Sequence, residues 1–268
     1  MPLPLKVTTY DPGAGGAPTT TNPRDLSGWA ESYDDSLLNE LGCESCRIVG
    51  TVESIEAAVD WTQRLMAAIE VYTPSGRPRF FGFLHEVSIP ALDCAVSLTD
   101  MANVVIVRYT DPDGVKGTQS ATSAASIAQY GRKELVLNFS TAYQAEALNR
   151  ASTVLAQLAQ PPNKQTVSLG GALRGGDGFR IELTFRGWAE ALKWLTTAST
   201  TTATAVTSTQ VSSLLTTYNS TNAFFDLTGA SIVSTAFSAT QYCDPDTTYY
   251  ERIATLLAAG NSAAQRVA

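Results

Sequence analysis

The chain has few of the residues on which most enzymes and nucleic-acid-binding proteins depend. It contains one histidine, His85, in 268 residues, and charged residues make up only 16% of it, against about 25% in ordinary soluble domains. The formal net charge of −7 argues against a protein that grips nucleic-acid phosphates through a basic face. Thr, Ser and Ala are abundant instead, a composition typical of β-rich surfaces that contact other proteins.

Long hydrophobic runs are also missing. No apolar run approaches the roughly 20 residues of a membrane-spanning helix, and Met1-Pro2-Leu3-Pro4 is unlike the start of a signal peptide. We therefore expect the chain to be made and folded in a cytoplasm. Its length of 268 residues suggests about two domains and enough chain for a substantial core.

Cysteine is scarce, and its spacing is incomplete for a metal site. Cys43 and Cys46 form a C-x-x-C pair, which occurs in half of a zinc site or in a redox pair, but Cys94 and Cys243 are isolated. A tetrahedral site would have to recruit scattered ligands from a chain with one histidine. We expect partly buried thiols that pack as small apolar groups, with a local disulfide and a metal site as open alternatives.

Catalytic patterns are equally sparse. Glu86 follows His85, but neighbours on a strand point to opposite faces, so the two do not form an acid/base pair. A hydrolase triad would need the same histidine, and no G-x-S-x-G motif is present. Carboxylate pairs occur at Asp34-Asp35 and at Asp244 with Asp246, as in any acidic chain, and a sequence does not show whether such a pair faces a cleft. We predict no catalytic, cofactor-binding or metal-binding residues, and a protein that is not an enzyme.

Three further features have a structural and a functional interpretation. The glycine-rich residues 170–178 lack the Gly-Lys-Ser/Thr of a phosphate loop and connect two predicted strands, which favours a hairpin loop. Residues 111–114, Asp-Pro-Asp-Gly, resemble the start of a calcium loop, but Val115 stands where a third ligand is expected, so a turn is favoured. Trp188 and Trp194 could form a sugar-stacking platform, but their position directly after a strand favours core packing.

The order of predicted elements suggests an internal repeat of about 90 residues, too long for a solenoid unit and suited to two copies of one small domain. Each series is a strand, an amphipathic helix and two further strands. The first series comprises residues 46–52, 55–69, 79–87 and 92–99. The second comprises residues 134–139, 143–159, 166–169 and 180–185.

Local signals set several helix boundaries. Capping boxes, in which a Ser or Thr and a Glu or Gln three residues later satisfy each other's backbone N–H groups, predict helix starts at residues 141–144, 207–210 and 248–251. Pro161-Pro162 predicts the end of the long second helix, and Gly260 that of the last. Leu148, Leu155 and Leu158 recur at helical spacing, which predicts burial against a sheet.

Four short stretches carry a resemblance to a known family. They are residues 82–87 (GFLHEV), 101–103 with 108–110 (MAN and RYT), 130–134 (YGRKE) and 187–192 (GWAEAL). They resemble the tail-tip proteins of long-tailed bacteriophages, and more specifically the baseplate hub family shared with contractile injection systems. The similar region runs from about residue 28 to 260.

The resemblance implies an α+β chain, mainly antiparallel β, with two tube-like β-domains, each with a flanking helix, and a small C-terminal helical unit. We expect an extended N-terminal arm at residues 1–24 that orders only against a neighbour, tube-like domains at 25–110 and 111–199, and a Thr/Ser-rich helical unit at 200–268. Repeated domains in three chains would present six equivalent surfaces to a six-fold tail tube.

The implied function is that of a structural virion protein of the tail tip. Members of the family form a ring, commonly a homotrimer, that joins the tail tube to a spike or fibre, and DNA passes through the ring without specific binding. The implied partners are tail-tube or distal tail proteins and fibre or spike proteins, with no cofactor, and the implied location is the virion tail after assembly in the host cytoplasm. The alternatives are a carbohydrate- or receptor-binding β-module of the tail tip, and a peptidoglycan hydrolase.

Overall fold

The structure is a computed structural model, and it describes residues 5–29, 34–36, 41–140, 142–165, 178–197, 203–228, 238–241 and 246–264. The strands, in chain order, are β1 Lys6–Thr9, β2 Arg24–Asp25, β3 Asp34–Ser36, β4 Ser45–Val52, β5 Ala68–Tyr72, β6 Pro78–Ile89, β7 Cys94–Ser97, β8 Val104–Thr110, β9 Lys116–Thr122, β10 Glu134–Phe139, β11 Asn163–Gln165, β12 Phe179–Gly187, β13 Ala203–Val206 and β14 Ser238–Gln241. The α-helices are α1 Ile55–Thr62, α2 Ala124–Tyr130, α3 Gln144–Leu158, α4 Thr207–Asn219 and α5 Tyr249–Ala264. An α+β fold with mainly antiparallel strands is therefore confirmed.

The main sheet has nine strands, all antiparallel to their neighbours. Its central path runs β2-β1-β5-β6-β12-β4-β3. In addition, β7 pairs with β6, and β11 pairs with β7. The central strand β12 shows why the chain folds this way, because Ile181, Leu183 and Phe185 alternate with polar residues and are fully buried. The polar face of the same strand holds Glu182, which accepts hydrogen bonds from Arg47 and Arg180.

A smaller sheet has the order β10-β8-β9, with β10 parallel and β9 antiparallel to β8. The predicted turn at residues 111–114 is confirmed, since the Asp111 carboxylate accepts from the N–H groups of Asp113 and Val115 at 3.0 and 2.8 Å. Gly114 adopts a φ of 84°, a left-handed conformation that suits glycine. The carboxylate that a calcium loop would use as a ligand is thus engaged by backbone amides.

The predicted repeat is wrong in its strand order. In the first series the initial strand, β4, belongs to the main sheet, whereas the initial strand of the second series, β10, belongs to the small sheet. The last strand of the second series, β12, lies between β6 and β4 of the first. The division at residue 110 therefore does not separate two sheets, and the two series share local structure without sharing strand order.

The N-terminal arm is also predicted wrongly. Strand β1 pairs with both β2 and β5, and Val7 is fully buried in the main core. Asp11, in the same N-terminal segment, pairs with Arg64, which also pairs with Asp60 of α1. These residues belong to the chain's own fold because the strand supplies backbone hydrogen bonds and a few apolar groups to an existing sheet, so it needs no core of its own.

The first predicted helix is shorter than expected. Helix α1 ends at Thr62, and Ala68 and Ile69 belong to β5 instead. Its start is capped by Ser54, whose side chain accepts from the Ala57 N–H at 3.2 Å. The apolar spacing from Ile55 onward continues into the next strand, which is why the pattern alone overestimates the helix.

The long helix α3 follows its predicted bounds, but its buried face is different. Ala147 and Ala151 are fully buried against Val105 and Val107 of the small sheet. Leu148 is 42% exposed. Small side chains let the helix approach the sheet closely, so the leucines lie toward the margin of the contact.

Capping boxes were predicted with mixed success. The third is confirmed, since the Glu251 carboxylate accepts from the Thr248 N–H at 2.8 Å and Thr248 Oγ1 accepts from the Glu251 N–H at 3.2 Å. The first depends on Thr141, which lies outside the described residues, and the N-cap of α3 is Tyr143, without a side-chain capping bond. The second is wrong, because the N-cap of α4 is Val206, also without such a bond. Gly260 is no stop either, since α5 continues to Ala264.

The C-terminal helices pack on the main core. Tyr218 of α4 is fully buried and donates its hydroxyl to the Ala191 carbonyl at 2.7 Å, while Ile253 and Leu256 of α5 join the same apolar cluster. Strands β13 and β14 form a small antiparallel pair beside them. Among the described helices, none combines the length and hydropathy that a bilayer span requires.

Candidate functional site: the junction between the two sheets

Residues from separate parts of the sequence meet where the small sheet joins the main one. Asn103, fully buried, is the centre of this contact. Its amide nitrogen donates to the Gly131 carbonyl at 2.6 Å and to Ser126 Oγ at 3.3 Å, and its oxygen accepts from the Lys133 N–H at 2.7 Å. Both ends of the Asn103 amide are satisfied, and they connect the start of β8 to the segment before β10.

A second buried asparagine attaches the C-terminal unit to the same segment. Asn222 accepts from the Arg132 N–H at 2.7 Å and donates to the Arg132 carbonyl at 2.8 Å. Gly131, with a φ of 78°, lies so close to Phe224 that a Cβ would stand 2.5 Å from the Phe224 ring. Residues 130–134 therefore receive hydrogen bonds from Asn103 on one side and from Asn222 on the other. We call these contacts of Asn103, Asn222 and residues 130–134 the junction.

A half-buried lysine of the same segment, Lys133, reaches the segment after β7. Lys133 Nζ donates to the carbonyls of Leu98 and Thr99, the latter at 3.1 Å, and lies 5.4 Å from the ring centroid of Trp194. Burial lowers the pKa of Lys133 to about 8, although the charges of Asp100 and Glu190 act in the opposite direction. The ammonium is held by carbonyl oxygens and an aromatic face, an arrangement that suits a structural cation.

His85 lies beneath this lysine on β6 and is 7% exposed. Burial, together with the charges of Lys133 and Arg186, lowers the pKa of His85 to about 3. The imidazole therefore stays neutral at physiological pH and is packed, with its ring centroid 6.2 Å from that of Phe83. Glu86 follows on the opposite face of the strand, as the alternation of strand residues requires.

Trp194 packs in the core, as predicted, and Trp188 is half-buried against the same cluster. The ring centroids of Trp188 and Trp194 lie 5.0 and 5.5 Å from that of Phe83, and 5.6 and 5.7 Å from that of Phe224. Both tryptophans follow β12 in a 3-10 turn, Trp188–Trp194, which folds back over the sheet. This aromatic cluster joins the C-terminal unit to β6.

The other candidate residues are dispersed. Cys43, Cys46 and Cys94 are thiols, with Cys46 in the core, and Cys243 lies outside the described residues. Within the described part of the chain, no three His, Cys, Asp or Glu residues are grouped as a metal site requires. Most of the glycine-rich loop, residues 170–177, also lies outside the described residues.

The carboxylate pairs are separated in the same way. Asp246 forms an ion pair with Arg108 at 2.6 Å. Its predicted companion Asp244 is not among the described residues, and for Asp34-Asp35 the structure gives only the backbone of β3.

A hollow of about 660 Å³ lies at the end of the small sheet, and sequence reasoning missed it. Arg108, Thr118 and Asn138 occupy one row across its three strands, and Tyr109, Phe139 and Lys116 complete much of the lining. The row requires the parallel pairing of β8 with β10, which brings together residues 30 positions apart. Nothing in the local sequence of either strand indicates that pairing.

Comparisons with models of protein families, with curated proteins and with solved structures found no match to this chain. The junction uses its polar groups to hold two sheets and a helical unit together, and a network of this kind fixes one geometry because every member is satisfied.

Proposed function

We propose that this chain is a structural protein of a phage tail tip, a baseplate hub subunit without chemistry of its own. In this proposal a ring, taken to be a homotrimer, connects the tail tube or distal tail proteins to the spike or fibre proteins. The ring lines the channel through which DNA is ejected. The protein assembles in the host cytoplasm and remains in the virion tail.

One observation carries the proposal: parts of the four stretches that resemble the hub family come together in space, whereas residues 108–110 lie at the other end of β8, in the hollow. Residues 101–103 and 130–134 form the junction, and residues 187–192 belong to the turn whose Trp194 lies beside Lys133. The fourth stretch, residues 82–87, contributes His85 and Phe83 beneath them. Short motifs that match by chance have no reason to share one location, so their convergence supports the resemblance.

The tube-like part of the proposal concerns the main sheet. An antiparallel sheet can bury one face and present the other to solvent or to a neighbouring subunit, which a tube wall requires. The junction would then set the angle between this wall and the small sheet. Because the two series of elements differ in strand order, three chains would not present six equivalent surfaces, and that support for a match to a six-fold tube is lost.

Electrostatics favours a conduit for DNA over a DNA-binding protein. The chain has 25 acidic and 18 basic residues, so a channel wall rich in Asp and Glu would repel phosphates. We expect no salt-dependent binding of duplex DNA at physiological ionic strength. Micromolar binding that weakens steeply with added salt would contradict the conduit.

The mass of the purified full chain in solution tests the ring. A trimer of 28.5 kDa subunits has a mass of about 86 kDa by light scattering, and negative-stain images should show a ring with a central channel. A monomer over the micromolar range, or a compact oligomer without a channel, contradicts the hub. Antibodies against the chain should also label one end of the tail in purified virions.

The hollow favours a second candidate, a carbohydrate- or receptor-binding module of the tail tip. Tyr109 and Phe139 supply aromatic surface there, and Asn138, Thr118 and Arg108 supply polar groups, a combination that fits a small polar ligand. Binding of host-envelope polysaccharide by the full chain, lost on Asn138→Ala together with Thr118→Ala, would support this candidate. Ser152→Ala with Thr153→Ala, on the exposed surface of α3, is the matched control.

A further inference from the structure

A second concavity, of about 290 Å³, lies on the face of the main sheet that also carries Phe83 and Trp188. Thr8, Glu70 and Phe81 form one row across β1, β5 and β6. They lie on the face of the sheet opposite Val7, Val71 and Phe80, the buried residues of the adjoining row. Residues 18–20 close one side of this concavity, which we call the aromatic pocket.

Aromatic rings surround the one carboxylate in the aromatic pocket. Tyr10, Phe81 and Trp188 line it together with Glu70, and Tyr72 stands edge-on to Phe81 with ring centroids 5.7 Å apart. Phe81 is 40% exposed, so its ring is available from solvent. A large aromatic side chain left at the rim of a concavity gains free energy when a ligand covers it.

The electrostatic character of the pocket is anionic. The Tyr10 hydroxyl donates to Glu70 Oε2 at 3.1 Å. Burial raises the pKa of Tyr10 and of Tyr72, and Glu70 adds to both shifts, so both phenols stay neutral. No arginine or lysine in the described part of the chain forms an ion pair with Glu70, and Lys6 lies two rows from Glu70, opposite Tyr72.

We infer that the aromatic pocket binds a guanidinium group, the side chain of an arginine presented by a partner protein. The inference goes beyond the proposed ring and does not rest on it. Ring faces attract cations, and the flat guanidinium stacks on them while it donates to a carboxylate. Arginine carries donors and no acceptors, which complements the Glu70 carboxylate and the Thr20 hydroxyl in the lining.

The size of the pocket agrees with a single side chain. Sites for drug-sized ligands occupy about 300–1,000 Å³, and this pocket lies just under that range. Lysine is the weaker fit, because its ammonium is a compact, strongly hydrated charge that cannot stack as a plane.

Peptide titration followed by NMR tests the inference on the full chain. The probe is acetyl-Ser-Arg-Ser-amide, and the matched peptides replace arginine by citrulline, a neutral isostere, or by lysine. We expect the arginine peptide to shift the Trp188 indole N–H and the amides of Glu70 and Phe81, with millimolar affinity. The citrulline peptide should bind at least about tenfold more weakly, since it loses the charge-assisted contact.

Variants separate the carboxylate from the rings. Glu70→Gln should weaken the arginine peptide about tenfold, Phe81→Leu should weaken it as well, and Glu86→Gln, on the same strand as Phe81, should leave it unchanged. If Glu70→Gln unfolds the protein because its contact with Tyr10 is weakened, Phe81→Leu still tests the pocket. Equal affinity for arginine and citrulline peptides, unchanged affinity in both pocket variants, or tighter binding of choline than of the arginine peptide would overturn the assignment.

Discussion

Replacing Asn103 by alanine is expected to destabilise the protein far more than the loss of one polar side chain suggests. The change removes the acceptor of the Lys133 N–H and the donor of the Gly131 carbonyl, and it leaves both groups without their partner in a buried region. Each unsatisfied group costs about 1–3 kcal/mol. We therefore expect the free energy of unfolding to fall by about 2–6 kcal/mol.

Urea denaturation followed by tryptophan fluorescence measures this change. The slope of the transition should be the same in the variant and the parent chain, which confirms that both expose the same surface on unfolding. Asn138→Ala is the matched control, because Asn138 lies on the same small sheet and is exposed. It should change the free energy of unfolding by less than about 0.5 kcal/mol. If Asn103→Ala is no more destabilising than this control, the Asn103 hydrogen bonds do not fix the start of β8 against residues 130–134.

Three further predictions concern the N-terminal segment and α3. Arg64→Ala removes the ion pair with Asp11, so it should lower the free energy of unfolding by about 1–2 kcal/mol and speed protease cleavage within residues 5–24; an unchanged cleavage rate would show that β1 pairing alone holds the segment. The hydrogen bond from Asn22, and next Arg64, hold the pKa of Asp11 below its ordinary value, so Asp11 stabilises the fold above its unfolded pKa and this contribution is lost as pH falls through the lower, folded pKa. Thermal melts should therefore show Asp11→Asn less stable than the parent chain at pH 7 and equal to it in acid, and a gap that persists in acid would refute this origin. Ala151→Leu should cost about 1–3 kcal/mol through overpacking, whereas Leu148→Ala should be close to neutral in the same denaturation assay; the reverse order would mean that the leucine face is the buried one.

Features governed by neighbours in sequence were predictable. The turn at residues 111–114 and the capping box at Thr248 follow from contacts within four residues, which any tertiary setting leaves available. The end of α3 at Leu158 agrees with the stop predicted from Pro161-Pro162. The prediction that the leucines of α3 form its buried face was wrong for Leu148, because helical spacing shows that an apolar face exists but not which side of it approaches the sheet. Ala147 and Ala151 face the small sheet instead, because their small side chains allow the closest approach.

Tertiary structure alone decided how the strands associate and where the candidate sites lie. The strands β10 and β12 have the local pattern of a repeat, but hydrogen-bonded pairing with distant strands places them in different sheets. Residues 5–24 look too polar to fold because their own apolar content is low, whereas the edge of β5 supplies the missing partner. The positions of the stretches that resemble the hub family can be read from the sequence. The role of Asn222 and the aromatic pocket around Glu70 cannot, because each depends on contacts between residues far apart along the chain.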